Sequence, residues 1–179
     1  MKIENDKIIL REWADSDAER LAEIANNKKI FDNLRDAFPH PYTIDDAREF
    51  IALQKDNNNG LSKIFAIVVD GRVAGSIGAF LKGDVYRKNA EIGYYLAEEY
   101  WGRGIMTKAV RLITAFLFEN FDINRVYAEP FARNTGSRRS LEKAGFRLEA
   151  ELKCNVVKNG IIEDSCIYAI LKDEFVNLV

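Results

Sequence analysis

Histidine and cysteine are almost missing from this chain, with one His and two Cys in 179 residues. A lone His40 makes no histidine cluster, and Cys154 and Cys166 fit neither a disulfide scaffold nor a CxxC pair. Zinc chemistry and a Ser-His-Asp triad are therefore set aside, and no metal is expected. His40, inside Phe38-Pro39-His40-Pro41-Tyr42, reads as a loop residue, with a substrate contact as the lesser alternative. Proline is scarce too, at 3, and the 11 Gly are spread without repeat or low-complexity tract, so disordered and fibrous classes are out and one domain over 1–179 is expected. No apolar run approaches the roughly 20 residues that span a bilayer, Ile64 to Val69 being typical, and Met1-Lys2-Ile3-Glu4 is no signal peptide. A cytoplasmic location with no membrane partner is expected. Finally, 26 Lys plus Arg against 28 Asp plus Glu leave a formal charge of -2, so no global positive field draws nucleic acid. Any anion must be met by local groups.

What is present reads as alternating elements. Lys7 to Trp13 alternates apolar and polar residues as a strand does. Ser16-Asp17-Ala18-Glu19 has the form of a capping box ahead of a helix carrying Leu21, Ile24 and Ala25. Thr43 opens a second helix with Ala47, Phe50 and Ile51 at helical spacing, and Asn57-Asn58-Asn59-Gly60 ends it. Two β-rich runs, Ile64 to Val69 and Val73 to Leu81, flank the turn pair Asp70-Gly71, and Ala90 to Leu96 is a third. Trp101-Gly102-Arg103-Gly104 then leads into a long helix with Met106, Ala109, Val110, Ile113 and Leu117 on one face. Arg125 to Pro130 is a strand, and Asn134 to Ala144 a helix stopped at Gly145. Phe146 to Val157 and Ile162 to Leu171 flank Asn159-Gly160, a pairing that sets Cys154 and Cys166 nearly opposite each other, where both read as small apolar side chains. Seven strands and four helices in this order predict an α/β (α+β) fold, a mixed sheet covered by helices.

Strand, glycine loop and helix together outline an anion site. Glycines at 102 and 104 let backbone approach a ligand, and the first amides of the next helix have no intrahelical acceptor. With the positive end of the helix dipole they hold a diphosphate without a basic surface, Arg103 and Lys108 adding charge at the rim; a plain tight turn is the alternative. The dinucleotide-binding pattern would need glycine where Thr107 stands, and the Walker pattern needs Gly-Lys-Ser/Thr. Neither is met.

Tyr94-Tyr95-Leu96 followed by Tyr100-Trp101-Gly102-Arg103-Gly104-Ile105-Met106-Thr107 resembles the acyl-CoA diphosphate signature of the GNAT N-acetyltransferases, Gln/Arg-x-x-Gly-x-Gly/Ala. Trp101 replaces its first residue and Met106 its last, departures characteristic of the ribosomal-protein N-terminal acetyltransferases, the RimJ/RimL-like branch. Leu10-Arg11-x-Trp13, Phe38-Pro39-His40-Pro41-Tyr42-Thr43, Ala90-Glu91-Ile92-Gly93-Tyr94, Asn134-x-x-Ser137 and Leu141-Glu142-Lys143-Ala144-Gly145-Phe146 are similar to that branch in the same order, nearly end to end. The resemblance implies a mostly antiparallel sheet of about seven strands whose central strands splay, flanked by about four helices. It also implies acetyl-CoA as co-substrate, with Tyr94, Tyr95 and Leu96 pairing with the pantetheine amides. Trp101, Gly102, Arg103, Gly104, Ile105, Met106 and Thr107 would form the diphosphate loop, and Asn134 is a further cofactor contact or simply a helix N-cap.

Acetyl transfer needs a neutral amine, a polarised thioester and a proton for the leaving thiolate. An N-terminal amine, with a pKa of about 8 against about 10.4 for lysine, needs the less help. Glu91, in the predicted third β run, is the expected base, its pKa raised by a buried cleft, with a solvent-facing Glu as the alternative. Ser137, one helical turn beyond Asn134, is the expected thiolate partner or else a first-turn residue bonded to backbone. Tyr127, Tyr168 and Glu129 are held in reserve. Phe31, Phe38 and Tyr42 are expected to line the amine site, with Asp32 and Asp36 attracting a cation. The acceptor is expected to be a protein N-terminus, with a small amine as alternative, on a monomer or homodimer. A non-catalytic acyl-CoA-binding module is the reading from another class.

Overall fold

The computed structural model describes residues 2–5, 8–56 and 60–177; Lys7 of the expected first strand and Asn57-Asn58-Asn59 lie outside them. Its strands are β1 (Lys2–Asn5), β2 (Ile8–Arg11), β3 (Ser62–Val69), β4 (Arg72–Leu81), β5 (Asn89–Leu96), β6 (Arg125–Ala128), β7 (Arg147–Lys158) and β8 (Ile161–Leu171). The helices are α1 (Ala18–Ala25), α2 (Lys28–Phe31), α3 (Ile44–Lys55), α4 (Ile105–Asn120), α5 (Thr135–Ala144) and α6 (Lys172–Val176). The strands form one sheet in the order β1-β2-β3-β4-β5-β6-β8-β7. All neighbours are antiparallel except β5 and β6. The mixed, mostly antiparallel architecture is as expected, with β1, α2 and α6 added to the seven strands and four helices of the sequence reading.

Both faces of the sheet are covered. Central β3 and β4 therefore read as nearly continuous apolar runs rather than as clean alternations. Phe65 and Ile67 of β3, Ile77 of β4, Ile92 of β5 and Val126 of β6 pack with Val110, Ile113 and Leu117 of α4 and Leu141 of α5. Ala66, Val68 and Val73 point the other way, onto Leu21 and Ile24 of α1 and Ala47 and Ile51 of α3. Fully burying each large aliphatic side chain contributes about 1.5–3 kcal/mol.

Local signals held at the turns and at one cap. Asp70-Gly71 and Asn159-Gly160 close their hairpins with positive φ at both residues. Thr43 caps α3, its hydroxyl accepting from the Asp46 amide while the Asp46 carboxylate accepts from that of Thr43. The Ser16 capping box does not form. A 3-10 turn over Asp15–Asp17 precedes α1, and the Asp17 carboxylate instead accepts from the Ala14 amide at 2.9 Å while Arg11 of β2 grips it through its two terminal guanidinium nitrogens. The cysteine register also differs. Ser165 faces Leu152 and Glu163 faces Val156, so β7 bulges between them, and Cys166 lies opposite Glu151 rather than Cys154. Cys166 is buried in the core; Cys154, at positive φ, is exposed.

One irregularity positions everything that follows. β5 and β6 pair only at Asn89↔Arg125, Ala90↔Val126 and Glu91↔Tyr127, after which β5 runs on to Leu96 hydrogen-bonded to β4 alone. The sheet opens there as a V with its apex at Glu91 and Tyr127.

Candidate active site

Strand alternation sorts β5 between the two faces of the V. Ala90, Ile92 and Leu96 are buried on the α4–α5 face with Tyr94 packed against them, whereas Tyr95 packs on the α1–α3 side. Glu91 and Gly93 share the side of Tyr95. Ser137 meets Tyr94 hydroxyl to hydroxyl at 2.9 Å. Glu91 and Ser137, expected to act together, thus stand on opposite faces of β5, and the V is the passage between them.

The open edge of β5 supplies backbone groups. The Ala97 amide donates to Ala74 of β4 at 2.7 Å, and a Cβ at Gly75 would meet the Tyr95 carbonyl at 2.3 Å, so the odd positions of β5 turn their backbone to β4. By alternation, Tyr94 and Leu96 turn theirs into the V. Tyr95, expected as a backbone partner, instead presents its ring to Phe38 at 5.4 Å, edge to face, because β4 occupies its peptide groups. The Leu96 carbonyl accepts from the Trp101 indole at 2.7 Å, which pins the start of the glycine loop to the strand end.

At that end the helix start is arranged as the sequence predicts. Gly102 and Gly104 sit at φ of 74° and 73°, Gly104 being the N-cap of α4. A side chain there is strained by the left-handed backbone, yet a Cβ at either would meet no atom within 4 Å, so the space outside the loop is open. The first amide of α4 to find an intrahelical acceptor is that of Lys108, which bonds to Gly104 at 3.2 Å. The Ile105 and Met106 side chains are buried, leaving their amides, with that of Thr107, as the available groups. Arg103 lies over the Tyr100 ring at 5.6 Å. Asn134 caps α5 by accepting from the Ser137 amide at 3.1 Å through Oδ1, and its Nδ2 has no partner among the described residues. These free donors around a water-accessible turn suit an anionic diphosphate, and the free β5 edge suits an extended amide chain.

On the α1–α3 face, Glu91 is held by Lys82 at 2.6 Å, by Arg35 and by the Tyr127 hydroxyl at 3.3 Å. Burial pushes its carboxyl up, but Lys82 and Arg35 outweigh burial and hold it below the ordinary carboxylate range. The raised pKa expected for Glu91 is overturned, for the physical reason that two cations compensate the desolvation. Tyr127, held in reserve, has its ring between Lys82 at 5.6 Å and Arg125 at 4.8 Å. Tyr168 is buried in the core and bonds to Arg138 and Glu142. Lys82 and Arg35 were missed by sequence reasoning; counting the β4–β5 register from Phe80↔Glu91 puts Lys82 on the Glu91 side.

The expected acceptor segment is present but partly tied down. Phe31 stacks on His40 at 5.1 Å, and Phe38 packs on Tyr42 at 5.0 Å. Tyr42 is buried beneath Phe38 instead of lining an opening, and burial raises its pKa to about 12. Asp32 is engaged by Lys28 and Asn159, and Asp36 by Lys158, so neither stands free for an incoming cation. Beside this segment the exposed Gly93 pairs with Gly78 of β4, and the half-exposed Phe80 ring lies within 4 Å of where a Cβ on either glycine would stand.

Residues 7–147 match the family described as the acetyltransferase (GNAT) domain. The chain belongs to the GNAT acetyltransferase family. It is similar to a protein of Bacillus subtilis (strain 168) named as a ribosomal N-acetyltransferase, YdaF, at 34% identity over 176 residues, covering 96% of this chain and 94% of the relative. Among solved structures, the microcin C7 self-immunity acetyltransferase MccE in complex with acetyl-CoA and AMP is 28% identical with a TM-score of 0.82, covering 93% of each chain. The ribosomal L7/L12 alpha-N-protein acetyltransferase RimL, in complex with coenzyme A, shares the fold with a TM-score of 0.87 at 22% identity, covering 97% of this chain and 99% of that one. This GNAT chain is an N-acetyltransferase. No helix among its described residues is long and apolar enough to cross a membrane.

Proposed function

We propose that this GNAT enzyme moves the acetyl group of acetyl-CoA directly, in a ternary complex, onto a primary amine, foremost the N-terminal amine of a protein. One observation carries the reading. The V between β5 and β6 has free backbone donors along one side, a hydroxyl pair on the α4–α5 face and, on the other face, the exposed Gly93 with no side chain of its own. Acetyl-CoA supplies an activated acetyl thioester. The amides from Arg103 to Thr107 hold the diphosphate, with Trp101 and Gly102 shaping the loop, while Tyr94 and Leu96 pair with the pantetheine amides and Asn134 donates through Nδ2. Tyr95 acts through its ring, as part of the acceptor wall. Tyr94 and Ser137 stabilise the departing sulfur, and Tyr94, kept protonated by burial, is the ultimate donor of the pair. Gly93 leaves the opening through which the amine reaches the carbonyl.

An N-terminal amine fits because its pKa of about 8 leaves roughly a tenth of it neutral at pH 7, whereas a lysine side chain at about 10.4 is almost wholly charged. Kinship to a chain named as a ribosomal N-acetyltransferase supports the same acceptor class. Mass spectrometry of peptides with free N-termini, lysine-containing peptides with blocked N-termini and spermidine, each incubated with acetyl-CoA and the enzyme, tests it. Acetylation at the α-amine of the peptides is expected; acetylation of spermidine alone would make the acceptor a small amine.

A further inference from the structure

Glu91 and Tyr127 are the last pair before the strands separate, and on each arm the next residue on the α1–α3 face lies two positions further along the chain. On β5 that residue is Gly93. On the other arm of the V it is Glu129, just past the end of β6, so an amine entering over Gly93 is flanked by this carboxylate. Glu129 is half-buried and differs from Glu91 in its partners. Its Oε1 accepts from the Ser165 hydroxyl at 2.8 Å and from Asn155 Nδ2 at 2.9 Å, and among the described residues no Lys or Arg pairs with it. No partner of its Oε2 occurs among the described residues either.

The support beneath Glu129 is built by the irregular part of the fold. Asn155 reaches across β8 because β7 bulges between Leu152 and Val156, and it donates to Ser165 at 2.7 Å as well. Ser165 is fully buried, and the chain after Glu129 is held to β8 where the Cys166 amide donates to the Pro130 carbonyl at 2.9 Å. A bulge that aims a side chain at a neighbouring strand beside a cleft is a common device at functional sites. The outcome is a carboxylate held in place through one oxygen by neutral donors, its second oxygen left to meet a cation.

We propose that Glu129 receives the acceptor's ammonium group in the V and takes its proton as the amine attacks. This rests on the acetyl-transfer reading above, and it gives Glu129 the role that the sequence suggested for Glu91. The step balances: the N–C bond forms and the thioester C–S bond breaks. The first ammonium proton passes to Glu129 and on to solvent, which frees the lone pair for attack; the thiolate takes a proton from the Tyr94–Ser137 hydroxyl pair, and the second proton, lost from the nitrogen as the tetrahedral intermediate collapses, restores that pair by way of solvent.

The test measures kcat/KM against pH for the wild type, Glu129→Gln and Glu91→Gln with two probes, a heptapeptide with a free N-terminus and spermidine, alongside calorimetric titration with acetyl-CoA. Glu129→Gln should bind acetyl-CoA like the wild type and lose about 100-fold at pH 7. Its rate should rise about tenfold per pH unit up to the amine pKa, because it depends on amine already neutral in solution. Glu91→Gln should lose less than about tenfold, with a shallower pH dependence. A Glu129→Gln variant within about threefold of the wild type, or one losing equally at every pH, overturns the proposal. So does one that no longer binds acetyl-CoA, since Glu129 would then be structural. If spermidine is acetylated and the peptide is not, the N-terminal acceptor is wrong, and Glu129 is judged on the spermidine profile.

Discussion

Tyr94 of β5 and Ser137 in the first turn of α5 are joined by a single hydrogen bond between their hydroxyls, 2.9 Å long, on the face of the sheet opposite Glu91. Burial pushes the Tyr94 phenol well above its usual value, so it stays protonated at any working pH. In the proposed reaction the two hydroxyls act as one proton-donating unit. Tyr94→Phe and Ser137→Ala should each lower kcat about 10- to 100-fold, with the double variant losing much less than the product of the two. Single-turnover acetyl transfer measured for the four proteins checks this, and strictly multiplicative losses would mean the two act independently.

Gly104 separates folding from ligand binding. Its backbone is left-handed, so alanine there costs about 1–2 kcal/mol, but an added side chain meets only open space. Gly104→Leu, large but unbranched at Cβ, should therefore lower Tm by only a few degrees, at about 2–4 °C per kcal/mol for a chain of this size, while removing CoA binding. Calorimetry and CoA titration on the same sample read both. CoA binding that survives would put the diphosphate elsewhere.

The ion pairs of Glu91 have a pH signature. A carboxyl held below its ordinary range stabilises the folded state above its unfolded pKa of about 4.3, and that stabilisation disappears as pH falls through the lower folded value. Glu91→Gln should thus melt below the wild type at neutral pH, with the two curves converging below about pH 4. Thermal melts across that range check it, and a constant difference at every pH would mean packing, not charge, is what the variant lost.

Lys158 ties the β7–β8 hairpin tip to the acceptor segment. Its side chain is 1% exposed, its ammonium sits 3.6 Å from the Phe31 ring centroid, and it reaches Asp36 at 2.8 Å. Arg133, next to Asn134, holds the same segment through the Asp32 carbonyl and, at 2.7 Å, Asn33. Lys158→Met should speed amide hydrogen exchange over residues 31–38 and raise the acceptor KM several-fold, with acetyl-CoA affinity unchanged, because only the acceptor side loses its anchor. Unchanged exchange there would show the segment to be held by its own aromatic packing.

Much of this was set by local order along the chain. Hairpin turns at Asp70-Gly71 and Asn159-Gly160, the Thr43 cap, the apolar stripe of α4 and the glycine pair ahead of it are short-range consequences of backbone stereochemistry and periodicity, and with the motifs they were enough for the family. What no local signal carries is which distant side chains meet. Asp17 displaced Ser16 at the first helix because Arg11 from a neighbouring strand holds it, and a bulge in β7 moved Cys154 away from Cys166. Glu91 reads as a lone buried carboxylate until Lys82 and Arg35 fold onto it, while Glu129 is an ordinary strand-end residue until Ser165 and Asn155 hold one of its oxygens. Proton affinity depends on the charges and dipoles within a few ångströms of a group, and contacts between residues far apart in sequence decide those. The family was therefore legible in the sequence, whereas the surroundings that distinguish one carboxylate from another, two cations at Glu91 and two neutral donors at Glu129, were set by the tertiary structure.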